Sequence, residues 1–250
     1  MEQNKISRRN FLRVAGASAT AAAMGGLAPA ASAAGIKDLW SMDLQILATS
    51  DTHGKFDPWD YAANKADASG SVAQQATAIK ENRTKTTLVV DAGDTIQANS
   101  AELFLNDDVH PMIAAQNAIG YDIYVTGNHE WAVGGVPALK EILTANGVTV
   151  LSNQFVPLER NGDTIVLAGI DDPNGYADQK TPEELAAEVY AACGDPFWIL
   201  LAHRNNRFAR QYSLLGADLV CSGHAHGGIV RLPGTDGLFS HDLDLFPSYT

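Results

Sequence analysis

Leu44-Gln45-Ile46-Leu47-Ala48-Thr49-Ser50-Asp51-Thr52-His53 is an apolar, β-rich run that stops at a carboxylate and an imidazole two residues apart. The same pattern recurs along the chain. Thr87-Leu88-Val89-Val90 leads to Asp91 and Gly93-Asp94, and Ile123-Tyr124-Val125-Thr126 leads to Gly127-Asn128-His129. Phe197-Trp198-Ile199-Leu200-Leu201-Ala202 runs into His203, and Asp218-Leu219-Val220-Cys221 into Gly223-His224-Ala225-His226. Continuous apolar runs of this length predict buried strands covered on both faces, and α/β sheets place ligands at the carboxyl ends of such strands. Five strand ends are therefore expected to converge on one site.

An Asp-x-His or Gly-Asp pair alone is a common accident, and a lone histidine is more often a surface or hydrogen-bonded core residue than a ligand. The ordered set is what carries the chemistry. Of 7 histidines, five fall in these motifs, while His110 and His241 sit in loop-like Val109-His110-Pro111 and Ser240-His241-Asp242. The candidate metal ligands are Asp51, His53, Asp94, Asn128, His203, His224 and His226. A carboxylate can bridge two cations through its two oxygens, and neutral imidazoles and an amide oxygen complete coordination without adding charge. Such mixed nitrogen and oxygen donors admit Mn, Fe, Zn, Co or Ni.

Helices fill the gaps. Residues 71–83, 112–119 and 137–145 have helical composition, and Thr181-Pro182-Glu183-Glu184 is a capping box with Pro at the first helical position, opening a helix through Ala192. With further strands at 148–151 and 164–169, the β/α alternation predicts a layered α/β domain, followed after Arg231 by a Pro/Gly-punctuated, β-rich section.

The chain has 250 residues and 46% hydrophobic content, enough for one full core. Ser7-Arg8-Arg9-Asn10-Phe11-Leu12-Arg13, an Ala/Gly-rich run and Ala31-Ser32-Ala33 form a twin-arginine signal with an A-x-A cleavage site, so residues 1–33 are expected to direct export to the periplasm or cell surface. That run is too poor in Leu, Ile and Phe to predict stable membrane insertion. Residues 34–250 are then one catalytic domain. Losing Glu2, Lys5, Arg8, Arg9 and Arg13 moves the net charge from −12 to −15. So acidic a body repels polymeric nucleic acid, whereas a small phosphate ester would be drawn by bound cations. Cys193 and Cys221 lack CxxC spacing and are expected to be buried free thiols.

The series Asp51-x-His53, Gly93-Asp94, Gly127-Asn128-His129, His203 and Gly223-His224-x-His226 resembles that of the calcineurin-like metallophosphoesterases, in the same order and across nearly the whole mature chain. The resemblance implies an αββα four-layer sandwich, two sheets flanked by helices. It implies a dinuclear centre in which Asp51, His53, Asp94 and His226 hold one ion, Asp94, Asn128, His203 and His224 the other, and Asp94 bridges. His129 would be catalytic rather than a ligand, stabilising the transition state or protonating the leaving oxygen; the alternative is a histidine that positions Asn128 or Asp91. Asp91 is expected to support the ligands from behind, and Arg204 to be solvated rather than to contact phosphate. Residues 44–130 look like the 5′-nucleotidase and 2′,3′-cyclic-nucleotide phosphodiesterase group, and those from Val148 onward like small single-domain phosphoesterases. In the nucleotidase group a second domain stacks the base. This sequence is not expected to hold one, which leaves Phe56, Trp59 and Tyr61 as either local base contacts or core. The expected activity is hydrolysis of phosphate mono- or diesters. Nucleotidase or cyclic-nucleotide phosphodiesterase, lipid-linked pyrophosphohydrolase, and non-catalytic binding of metal or a phospholigand stand as alternatives.

Overall fold

The computed structural model describes residues 44–226, except 62, 69, 105–106, 108 and 161–162, together with 238–239 and 245–246. The N-terminal signal, Gly227 to Pro233, His241 and most of the β-rich ending lie outside the described residues; of that ending the structure gives an antiparallel bridge between Phe239 and Leu245.

Among the described residues the apolar runs become two four-stranded sheets. The first has strand order β1-β4-β5-β6, all parallel, from β1 (Gln45–Thr49), β4 (Thr87–Asp91), β5 (Ile123–Tyr124) and β6 (Thr149–Val150). The second has order β10-β9-β8-β7, from β7 (Gln154–Arg160), β8 (Asp163–Ile170), β9 (Phe197–Arg204) and β10 (Leu219–Gly223). There β8, β9 and β10 are parallel and β7 runs antiparallel to β8. A small hairpin, β2 (Trp59–Asp60) with β3 (Lys65–Ala66), follows the first candidate ligands.

Period-two alternation along the strands builds the layers. Val90, Val125 and Leu151 from the first sheet meet Leu167, Ile199 and Leu201 from the second, forming the core between them. The alternate residues face outward onto helices. Val166, Ala168, Trp198, Leu200 and Ala202 pack on Leu185, Ala186 and Val189 of α5 (Pro182–Cys193). On the other side Tyr124 packs with Leu139 and Leu143 of α4 (Val136–Ala145) and Ile113 of α2 (Pro111–Ile119). Val89 meets Ile79 of α1 (Val72–Asn82). Helix, sheet, sheet, helix is the αββα order the resemblance implied. Each fully buried Val, Leu or Ile contributes about 1.5–3 kcal/mol, so this double-sided burial is the main source of stability.

The helix starts are written locally. Thr181 Oγ1 accepts from Glu184 N at 3.2 Å and Glu184 Oε2 from Thr181 N at 2.8 Å, the reciprocal box expected from the sequence. His110, set aside as a loop histidine, caps α2 by accepting from Met112 N.

Two expectations need correction. Strands β1 and β10 are not covered on both faces: each is the edge of its sheet among the described residues, Ala48 is exposed, and Leu219 is 42% exposed. Cys221, on β10, is accordingly only half-buried, as is Cys193, and both are free thiols. Among the described residues no helix is long and apolar enough to cross a membrane.

Candidate metal centre

The carboxyl ends of β1, β4, β5, β9 and β10 lie at one edge of the sandwich, where the two edge strands abut. His224 N donates to Asp51 Oδ1 and Oδ2 at 2.9 and 2.8 Å, tying β10 to β1. Within the first sheet Asp51 N bonds Gly93 O at 2.9 Å and His53 N bonds Asp94 O at 2.9 Å, so the loops carrying Asp51, His53 and Asp94 continue the pairing of their strands. His203 lies inside β9 rather than beyond it.

Among the described residues three groups of donor atoms result: Asp51 with His53 and His226; His53 with Asp94 and His129; and Asp94 with His203 and His224. Asn128 joins the last, its Oδ1 3.0 Å from His203 Nε2. Asp94 belongs to two groups, with its Oδ2 3.0 Å from His203 Nε2 and 3.9 Å from the Nε2 of both His53 and His129. All seven sequence-derived ligand candidates and His129 are thus brought together.

Charge and tautomer suit a cation. His203 Nδ1 lies 2.8 Å from the Ala92 carbonyl, which can only accept, so Nδ1 carries a hydrogen and Nε2 is the nitrogen turned toward Asp94 and Asn128. His53 Nε2 and His226 Nε2 lie 2.8 Å apart, so the two rings bring a nitrogen each to the same point. Burial raises the pKa of Asp51, but hydrogen bonds from His226 and Ser50, the charge of His203 and the His224 N–H outweigh it and hold the carboxyl at about 2. Asp94 is likewise raised by burial and lowered on balance by His203 and the His129 N–H. Burial lowers His203, and the field of Asp94 and Asp51 overrides this to lift it to about 9. The cluster therefore keeps its carboxylates ionised and draws positive charge inward, as a divalent-ion site of nitrogen and oxygen donors must.

Backbone strain collects at the same place. Among the described residues ten non-glycine residues have positive φ, and five of them are Asp51 (52°), His53 (46°), Asp94 (60°), His224 (75°) and His226 (53°). The left-handed region costs an L-residue roughly 1–2 kcal/mol, and such conformations persist where surrounding contacts over-determine them. Two glycines make room for the carboxylates: a Cβ at Gly127 would overlap Asp94 Oδ1, and one at Gly223 would overlap Asp51 Oδ2.

The support behind the ligands is only partly what the sequence suggested. Asp91, fully buried, accepts from Thr49 Oγ1, Gly93 N, Thr95 Oγ1 and Gln116 Nε2, bracing the turn into Asp94. Burial outweighs those donors and pushes its pKa up to about 7. Glu130 was not singled out from the sequence. It sits on the short helix α3 (Asn128–Val133), is fully buried, and accepts from the backbone N–H groups of Asp94, Thr95, Ile96 and Gly127. The available signal was a glutamate three residues after Gly127, the spacing of a capping box. Gln97 was also missed; its Oε1 bonds His129 Nδ1, and His129 N donates to Asp94 Oδ1 at 2.8 Å. His129 thus leans on Gln97 rather than on Asp91. Arg204 departs from the solvated arginine expected. Its side chain is 20% exposed and its Nε and Nη2 form a two-point pair with buried Asp172 at 2.7 and 3.1 Å.

Comparison with known proteins converges on the same architecture. Residues 44–228 match the family model for calcineurin-like phosphoesterases. The trifunctional nucleotide phosphoesterase YfkN of Bacillus subtilis is 38% identical over 103 residues, covering 36% of this chain and 7% of YfkN. The 2′,3′-cyclic-nucleotide 2′-phosphodiesterase/3′-nucleotidase of Haemophilus influenzae is 28% identical over 137 residues, 52% of this chain and 20% of that protein. The chain therefore spans only a small part of these relatives. A crystal structure of the calcineurin-like phosphoesterase YfkN from Bacillus subtilis superposes with a TM-score of 0.59 at 26% identity, covering 72% of this chain and 71% of that one. With a family model matched across the whole described sandwich and the donor cluster at its edge, the chain belongs to the calcineurin-like phosphoesterases, a family of phosphoric ester hydrolases.

Proposed function

We propose that the protein is a metal-dependent phosphoesterase with two ions at the strand-end cluster, hydrolysing small phosphate mono- or diesters. The observation that carries this reading is the sharing of Asp94 between donor groups, with Oδ2 facing His203 on one side and His53 on the other. Asp51, His53, Asp94 and His226 would hold one ion and Asp94, Asn128, His203 and His224 the second, with Mn, Fe, Zn, Co and Ni all compatible with the donors. When bound, two such ions polarise phosphoryl oxygens and acidify a water for attack on phosphorus. The chain's own contribution beyond holding them is His129. Its side chain is 37% exposed, Gln97 fixes Nδ1, and Nε2 is turned toward Asp94, so an ester oxygen reaching the cluster meets an imidazole able to stabilise or protonate it. Metal analysis tests the centre: purified protein should carry close to two transition-metal ions, and Asp94→Ala should lose both. A wild type that binds none after incubation with Mn or Zn would end this reading.

A nucleotide-directed reading is favoured by one observation. Phe56, Trp59 and Tyr61 are not core: they are 37%, 38% and 58% exposed on the segment that follows His53 and forms the β2–β3 hairpin. Aromatic faces in that position could receive a base. Hydrolysis of bis-(p-nitrophenyl) phosphate and of 2′,3′-cyclic AMP against a base-free cyclic phosphate separates the two. Similar rates for both cyclic esters support broad range, whereas a hundredfold preference for the nucleotide, about 2.7 kcal/mol, supports base recognition.

Export by the twin-arginine route and a single catalytic domain over residues 34–250 complete the proposal, supported by the Arg8-Arg9 motif and Ala31-Ser32-Ala33. Replacement of both arginines by lysine should hold the protein in the cytoplasm, and unchanged export would refute the assignment.

A further inference from the structure

Arg204 is anchored as if one of its nitrogens were reserved. Asp172, itself 1% exposed, engages Nε and Nη2 from the side, and Asn174 N in turn donates to Asp172 Oδ1 at 2.9 Å. A side-on pair of this kind fixes the guanidinium plane. It turns the third nitrogen, Nη1, away from Asp172 and into the ligand cluster, where it lies 3.4 Å from His224 Nε2. Nη1 carries two N–H bonds, and a single imidazole nitrogen can accept only one of them. The guanidinium stays charged at any working pH, so a permanent, rigid cation with a donor in hand stands at the edge of the group formed by Asp94, His203 and His224.

We propose that Arg204 Nη1 binds a terminal oxygen of the substrate phosphoryl group and thereby biases the site toward phosphate monoesters. This inference rests on the dinuclear phosphoesterase reading above. Two ions can each take one terminal oxygen. A diester has only two terminal oxygens and one negative charge, so both are satisfied. A monoester dianion has a third terminal oxygen and a second charge, which two ions taking one oxygen each would leave without a donor of its own. Arg204 supplies both the donor and the charge, and Asp172 is its positioning residue.

The test compares wild type, Arg204→Gln, Arg204→Lys and Asp172→Asn, each loaded with Mn. Readouts are metal content, binding of inorganic phosphate by titration calorimetry, and kcat/KM on p-nitrophenyl phosphate and bis-(p-nitrophenyl) phosphate. Loss of a charge-assisted bond should weaken phosphate binding and monoester kcat/KM by about 10–100-fold in Arg204→Gln, with diester kcat/KM changed less than about threefold and metal retained. Arg204→Lys, which keeps the charge but not the fork, should fall between, and it carries the same comparison where Arg204→Gln does not fold. Asp172→Asn should follow Arg204→Gln in direction with a smaller effect, mostly in KM. Equal losses on both esters, or phosphate affinity lost in proportion to metal, would make Arg204 a support for His224 and overturn the proposal. A wild type that loads metal and cleaves the diester but not the monoester would overturn it too. One that binds no metal and cleaves neither would instead remove the phosphoesterase reading on which it stands.

Discussion

Glu130→Gln changes no volume, yet the structure makes it a costly substitution. Oε2 of Glu130 accepts from Asp94 N and Gly127 N, both at 2.8 Å, and Oε1 accepts from Thr95 N at 2.7 Å and Ile96 N at 3.3 Å. An amide has one acceptor and one donor end. Whichever way the substituted amide turned, its NH₂ would face two backbone N–H groups with no water at hand, since the position is fully buried. A buried donor left unpaired costs about 1–3 kcal/mol, so two cost about 2–6 kcal/mol. Removing a negative charge near Asp94 gives some of this back; burial and Asp94 both raise the Glu130 pKa, which marks that repulsion. A net loss of about 2–4 kcal/mol remains, or roughly 5–15 °C in Tm at about 2–4 °C per kcal/mol for a domain of this size. Calorimetry of the metal-free protein measures it directly. The turn from Asp94 to Ile96 and the start of α3 are the parts held, so metal affinity should fall as well. A Tm within about 1 °C of wild type would refute the reasoning.

Other expectations follow from the same geometry. His129→Ala should lower kcat by about 10²–10⁴-fold, the usual weight of a general acid, with metal content near wild type; parallel loss of metal and rate would make the residue structural. Gly127→Ala puts a methyl group onto Asp94 Oδ1, so metal affinity should drop by at least about tenfold, as forced shifts in packed sites cost about 1–3 kcal/mol, and an unchanged ion content would count against Asp94 as a ligand. Asp91, raised from 3.8 to about 7, binds its proton more tightly folded than unfolded. Its contribution is full below pH 4 and is lost as pH rises to 7, by up to about 4 kcal/mol. Metal-free Asp91→Asn should lack this slope between pH 4 and 7 when compared with wild type in urea unfolding, and equal slopes would reject the assignment.

What the sequence made legible was whatever repeats or is local. The central strands β4, β8 and β9 are apolar on both faces because both faces are covered, and the helices announce their own starts. Strand β7 went unread because Pro157 lies within it; among the described residues β7 is the outermost strand of its sheet and bonds only β8, and an edge tolerates a residue that cannot donate to a neighbour. The hairpin β2–β3 and the short helix α3 are too brief to show a period.

The seven ligand candidates were visible because each ends a run of hydrophobic residues, while their support was invisible because it joins distant positions. Arg204 meets Asp172 across 32 residues, Glu130 meets Asp94 across 36, and His203 meets Ala92 across 111. Nor could propensity foresee Asp51, His53, Asp94, His224 and His226 in a backbone region that favours glycine. Those conformations are held from outside, by His224 N on Asp51, Glu130 on Asp94 N and the pairing of the 51–54 loop with residues 93–95. A residue such as Glu130 bonds the Asp94 backbone rather than holding an ion, and yet decides whether Asp94 can stand where two donor groups overlap. The site's chemistry is therefore encoded in its ligands, but its geometry is encoded in the buried carboxylates and glycines behind them.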